Sequence, residues 1–188
     1  MVSDQVVVEP WRVQLLERLW VYGEQLLAAD EQAMLAQFAP FISAHPDCLW
    51  RSCRPGHLTA SAWVVDPARQ HTLLMHHRKL DRWLQPGGHV DGNHDLLASA
   101  LREAREETGL QQLVPVSPEI FDVDRHWIPE RKAEPGHWHF DMRFLIEADP
   151  EEALTVTSES KELRWVKLAV VTELDPEGSL LRMVRKTR

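Results

Sequence analysis

Apolar side chains recur along residues 11–28 at Leu15, Leu19, Tyr22 and Leu26, with Leu16, Trp20 and Leu27 widening the stripe. Steps of three and four residues put them on one side of a 3.6-residue turn, so this segment predicts an amphipathic helix. A second helix is expected to start at Asp30 as its N-cap and to carry Met34, Leu35 and Phe38. Pro40 and then Pro46 would end it, because a proline in a helix interior has no N–H to donate. The pair is expected to pack on the remaining chain or on a second copy of it, which makes a homodimer an expected assembly.

After Arg54-Pro55-Gly56 the pattern changes. Residues 58–65 and 72–76 read as strands around a turn at Asp66-Pro67, and a loop with Pro86, Gly87, Gly88 and Gly92 follows. An uninterrupted helical stretch covers 94–108 and stops at Gly109. Strand-like runs return at 120–128, 139–146 and 163–167, and 179–186 reads as a closing helix with basic residues in its last turn. Helices and strands mixed in this order predict an α/β fold, a mixed sheet with helices packed on it. The division expected is a helical N-terminal extension, 1–54, and one principal domain, 55–188.

Composition narrows the function. A chain of 188 residues with 44% hydrophobic content can bury one substantial core. Its net charge of -8 argues against a nucleic-acid polymer as partner, since such binding rests on clustered Lys and Arg. No apolar run approaches membrane-spanning length, and residues 1–5 lack the basic and long apolar parts of a secretory signal, so a cytoplasmic location away from membranes is expected. Cys48 and Cys53 have no further cysteines to complete a thiolate site and are expected to be reduced thiols.

The helix at 94–108 carries the chemistry. Leu97, Leu101, Ala104 and Thr108 share one face, and Glu103, Glu106 and Glu107 gather on roughly the other. Like charges three and four residues apart repel, so the trio needs solvent or a cation, and hard divalent ions take such oxygen ligands. For three glutamates alone, a solvated acidic face is the plainer account. The flanking residues change that judgement. Gly88 is followed after five residues by His94, after seven more by Arg102-Glu103, then by Ala104, Arg105, Glu106-Glu107, Thr108, Gly109 and Leu110.

Residues 88–110 thereby resemble the Nudix box at every defined position but one; His94 stands where the family has its first Glu. Asp95 beside it can supply negative charge at the helix start. The resemblance implies a Nudix-type α/β/α sandwich and a Mg²⁺-dependent hydrolase of phosphate anhydrides, with Mn²⁺ as a substitute. It implies metal binding by Glu103, Glu106, Glu107 and the carbonyl of Gly87, with Glu106 a ligand or a helper, and it gives Arg102 the task of holding the carboxylates. The general base is expected among the box glutamates, Glu106 or Glu107, or in a later loop, where Glu159 and Glu162 stand.

Arg78 and Lys79, in the stretch before the box, are expected to meet a phosphate of a small nucleotide-like substrate. A nucleoside diphosphate linked to another group is the expected substrate class. The alternatives are a catalytically weakened Nudix-fold module for nucleotide binding or regulation, and an isomerase of diphosphate-bearing lipid precursors on the same fold.

A second polar constellation alternates along two expected strands, Asp122, Asp124 and His126 on one, His137, His139 and Asp141 on the other. Period-two alternation puts each trio on one face. Pairing of the strands would bring carboxylates and imidazoles together, suited to substrate contacts by His137, His139 and Asp141, to a proton shuttle, or to a second metal. A sheet whose outer face is merely polar is the structural alternative.

Overall fold

The computed structural model describes residues 9–25, 28–131, 135–174 and 178–187. Helix α1 (Pro10–Gly23) opens with a proline, whose missing N–H would have no intrahelical acceptor there, and it buries Leu15, Leu19 and Tyr22. Leu26 and Leu27, the expected continuation of its stripe, lie outside the described residues. The single second helix of the sequence reading is instead two, α2 (Ala29–Leu35) and α3 (Phe38–Ala44). Ala28 occupies the N-cap position and Asp30 the first turn of α2. Pro40 sits in the first turn of α3, where N–H groups lack partners, so it helps to start a helix rather than stop one.

The described residues form an eight-stranded mixed sheet from β1 (Gly56–Val65), β2 (His71–His77), β3 (Arg82–Leu84), β4 (Gly87–His89), β5 (Val114–Pro115), β6 (Asp122–Ile128), β7 (His137–Glu147) and β8 (Ser160–Lys167). Its centre is the parallel pair β1 and β7, in register from Gly56 opposite Trp138 to Val65 opposite Glu147. All ten β1 residues are buried, as a strand covered on both faces requires. β2 pairs with β1 at Thr72 opposite Val65, while β4 fills the edge of β1 at residues 59–61. β4 is thus a strand where the sequence pattern predicts a loop.

Alternation sorts the two faces. Leu58, Ala60 and Ala62 of β1 and Phe140, Met142 and Phe144 of β7 pack with Leu96, Ala100 and Ala104 of α4 (Leu96–Thr108) and with Leu15, Leu19, Phe38 and Ile42 of the N-terminal helices. Each of those four N-terminal side chains contributes about 1.5–3 kcal/mol by burial, so the extension shares its core with the sheet. On the opposite face Trp63, Val65 and Leu145 meet Leu180, Met183 and Val184 of α5 (Ser179–Lys186). The result is the expected α/β/α sandwich. No helix among the described residues is long and apolar enough to cross a membrane.

Candidate functional site

Helix α4 is bounded by its caps. The Asp95 side chain accepts a 2.9 Å hydrogen bond from the Ala98 N–H, and Gly109 closes the helix with φ 82°, a conformation that glycine tolerates best. His94, just outside, stacks on Trp11 of α1 with ring centroids 5.1 Å apart. It therefore clamps the N-terminal helix over the start of α4.

The buried stripe of α4 includes Leu96, Ala100, Ala104 and Thr108, and Glu107 joins it at 7% exposure. Leu97 and Leu101 pack at its border. The three carboxylates are thus graded, with Glu107 buried, Glu103 half-buried and Glu106 exposed. Burial pushes the Glu107 carboxyl up to about 8 against the pull of the Gly87 N–H, which donates to it at 2.9 Å, and the charges of Glu103, Glu159 and Glu106 push further the same way. Glu103 is also raised by burial, opposed by Arg102.

Glu103, Glu106 and Glu107 line one cleft of about 170 Å³ with Thr157 and Glu159. Their oxygens do not all fall within 4.8 Å of one another. Arg102 explains the spread: its guanidinium reaches Glu103 at 2.8 Å and Glu106 at 3.1 Å and donates to the His89 carbonyl of β4 at 2.8 Å. Glu107 turns instead to the Gly87 N–H. Hard oxygen donors lining one cleft, with Glu103 and Glu107 raised by burial and by their acidic neighbours, fit a divalent ion such as Mg²⁺.

The close approach of β4 to α4 depends on glycine. A Cβ on Gly87 would lie 2.2 Å from Ser61 Oγ, and one on Gly88 would lie 2.6 Å from a Glu103 oxygen. Gly88→Ala is expected to displace the Glu103 carboxylate, a flexible tip, while the fold stays intact. The expected result is a loss of turnover of about tenfold or more with little change in melting temperature. Activity within twofold of the wild type would show that Glu103 can sit elsewhere.

Of the other expected residues, Glu159 borders the cleft and is exposed. Arg78 donates to the Ser158 carbonyl at 3.1 Å and the Ser160 carbonyl at 2.7 Å, holding the loop that bears Glu159. Lys79 is exposed on the turn after β2. Glu162 lies on β8 rather than in the loop, opposite His76 and ion-paired with Arg164 at 2.6 Å.

The two polar strands do pair, with Asp124 opposite Asp141 and His126 opposite His139. Their side chains then separate into two groups. Asp122, Asp124 and Asp141 converge on Arg143 at 3.1, 3.1 and 2.9 Å, and Asp141 also accepts from Thr59 and Ser61 at 2.9 Å. Arg182 and Lys186 of α5 add to Asp122, each at 2.8 Å. His137 and His139 instead join His57 of β1, at ring-centroid distances of 4.8 Å each.

Sequence reasoning missed Arg143, Arg182 and His57. Arg143 is the one cation in the largely apolar stretch 140–146, two residues from Asp141, and His57 alternates with Thr59 and Ser61, so both signals were present. Cys48 and Cys53 are buried free thiols, as expected, and burial pushes Cys53 up to about 12.

A family model described as the NUDIX domain matches residues 55–183. Curated relatives include a Lactococcus lactis subsp. cremoris protein named a probable DHNTP pyrophosphohydrolase, 29% identical over 69% of this chain and 78% of its own length. Another is a Streptomyces rubellomurinus CMP-5'-(N-acetyl-N-hydroxy-3-aminopropyl)phosphonate hydrolase, 30% identical over 63% of this chain and 56% of its own. Among solved structures, the E. coli dihydroneopterin triphosphate pyrophosphohydrolase superposes with a TM-score of 0.55 at 16% identity, covering 69% of this chain and 92% of that one. The M. smegmatis Nudix hydrolase RenU gives 0.53 at 22% identity, covering 70% and 85%.

Proposed function

The chain belongs to the Nudix family and is a hydrolase of the pyrophosphohydrolase kind, and from this premise we propose that it uses Mg²⁺, with Mn²⁺ as a substitute, to cleave the diphosphate of a nucleoside diphosphate linked to another group. One observation carries the reading: a buried glutamate with a raised proton affinity, Glu107, shares a cleft with three further carboxylates. Glu103, Glu106, Glu107 and the Gly87 carbonyl would hold the ion. Once bound, it would neutralise phosphate charge and make a coordinated water more acidic.

The chain's own residues divide the remaining work. Arg102 holds Glu103 and Glu106 in place from its anchor on the β4 backbone. Arg78 fixes the loop at 158–160, and Glu159 on that loop accepts the proton of the attacking water at its carboxylate. Lys79, exposed beside that loop's anchor, receives a terminal phosphate oxygen. The substrate enters as a small anion, since a net charge of -8 offers no extended basic face to a polymer. A soluble cytoplasmic setting suits such a substrate.

The test is release of phosphate or nucleoside monophosphate from a panel of nucleoside diphosphate derivatives, triphosphates and dihydroneopterin triphosphate, with Mg²⁺ and with chelator. Mg²⁺-dependent turnover of a linked nucleoside diphosphate is expected to exceed that of the plain triphosphates. Turnover of dihydroneopterin triphosphate alone would replace the substrate, and no turnover on any compound would leave a binding module. Glu159→Gln is expected to lower kcat by about 10²-fold with KM nearly unchanged. A loss below threefold would move the general base to Glu106 or Glu107.

A further inference from the structure

The imidazole group on the face opposite α4 has its own geometry. Strand register sets His57 directly beside His139, and His137 lies two residues back on the same face of β7. The ligand nitrogens of these three side chains all lie within 4.8 Å of one another. His137 Nδ1 lies 2.9 Å from the Pro135 carbonyl, which can only accept. That nitrogen therefore carries a hydrogen, which leaves Nε2 as the atom able to ligate. It points at His139 Nε2, 3.2 Å away.

His57 is 2% exposed, and neither of its ring nitrogens makes a hydrogen bond. A buried polar group left in this state is unfavourable until it finds a partner. The backbone at Cys53 exerts only the weakest of the influences on its ring, and burial with the neighbouring histidines pushes it down to about 4. His139 is lowered by the same causes.

We infer that His57, His137 and His139 form a binding site for a divalent transition-metal ion of the zinc class. Imidazole nitrogens about 2.0–2.1 Å from a tetrahedral ion stand about 3.3 Å apart, close to the edge already set between His137 and His139. The two edges to His57 lie within 4.8 Å and shorten to that length when the ion binds. The Pro135 carbonyl supplies the outer hydrogen bond that orients a metal-bound histidine. A fourth position is left for water or for His89, whose ring stands 4.9 Å from His57 and 5.2 Å from His139.

Ligand chemistry separates this site from the carboxylate cleft. Three nitrogens select a borderline-soft ion, and the glutamates select a hard one. Strand β4 joins the two, with the Gly87 N–H on Glu107 and the His89 ring against His57. The inference does not depend on the substrate.

The experiment uses the purified chain, stripped with chelator and then held in excess Mg²⁺ to occupy the carboxylates. Co²⁺ is titrated and followed by its visible absorption, and zinc retained after gel filtration is counted by elemental analysis. One equivalent bound at micromolar concentration with an intense tetrahedral Co²⁺ spectrum is expected. His57→Ala and His137→Ala should each weaken it at least tenfold. Their folding is checked by circular dichroism, and the wild-type titration is decisive without them. Cys53→Ser and Glu103→Gln should leave it unchanged. A wild-type protein that takes up no Co²⁺ or zinc overturns the assignment. So does an ion that survives both histidine changes, or one lost on Cys53→Ser, which would place it at the other close group of His45, Asp47 and Cys53.

Discussion

Replacing Glu107 with Gln is expected to cut turnover by about 10²–10³-fold and, in chelator, to leave the protein more stable than the wild type. Gln fills the same volume, and its amide oxygen can still accept from the Gly87 N–H, so the fold has no reason to change. What disappears is a negative charge that is costly in the empty protein and useful with a cation beside it.

The pH dependence separates the two effects. A carboxyl whose folded value lies near 8, against an ordinary 4.5, binds its proton more tightly when folded. Its contribution to stability is whole below about 4.5 and is lost as pH rises to about 8. Thermal melts in chelator should therefore show the variant gaining on the wild type across that window, by roughly 4 kcal/mol at the upper end. Mg²⁺ should restore the wild type and do little for the variant, since only the folded wild type would bind it well. Melting curves that stay parallel from pH 5 to pH 8 would show that Glu107 is not charged at a cost.

The parts of this site that were legible in the sequence are those that depend on spacing along one element. Glu103, Glu106 and Glu107 follow helical periodicity and Gly109 ends the helix as read, whereas its start falls at Leu96 with Asp95 as N-cap rather than at His94. Their grading from buried to exposed was not legible, because it depends on how α4 is rotated against β1 and β4, a matter of packing between distant segments. β4 itself escaped notice because its residues, Gly87, Gly88 and His89, carry no apolar pattern. Close backbone approach to Ser61 holds it there, not side-chain burial.

Similarly, alternation marked His137 and His139, yet the ring that completes their group comes from His57, far earlier in the chain and adjacent only through the parallel β1 and β7 pairing. The N-terminal helices were anticipated, but Pro40 was read as a stop, although a proline in a first turn costs no hydrogen bond.

Arg143→Met is expected to cost at least 3–5 kcal/mol, a large share of the 5–15 kcal/mol typical of a domain's whole stability. Arg143 is 2% exposed and spends its donors on Asp122, Asp124, Asp141 and the Ser179 hydroxyl. Methionine would fill the space, and the three carboxylates would lose the cation they share, keeping Arg182 and Lys186 at Asp122, His126 at Asp124 and the Thr59 and Ser61 hydroxyls at Asp141. Arg143→Lys keeps the charge but cannot fork toward three acids, so about half of the loss is expected.

The sign of the acid response should also reverse. In the wild type burial pushes Asp124 up, but Arg143, His126 and Arg182 outweigh it and hold the carboxyl well below the usual range. Stability is therefore present above the ordinary value of 3.8 and falls as pH drops below it. Without Arg143 the same burial acts with less opposition and the acids take up protons more readily when folded, so the variant should gain stability as pH falls from about 7 toward 4. Urea unfolding at pH 7 and pH 4.5 measures both in the variant, and a further point near pH 3 shows the fall of the wild type. A variant that loses less than about 1 kcal/mol, or weakens with acid as the wild type does, would mean that α5 and water already compensate the three aspartates.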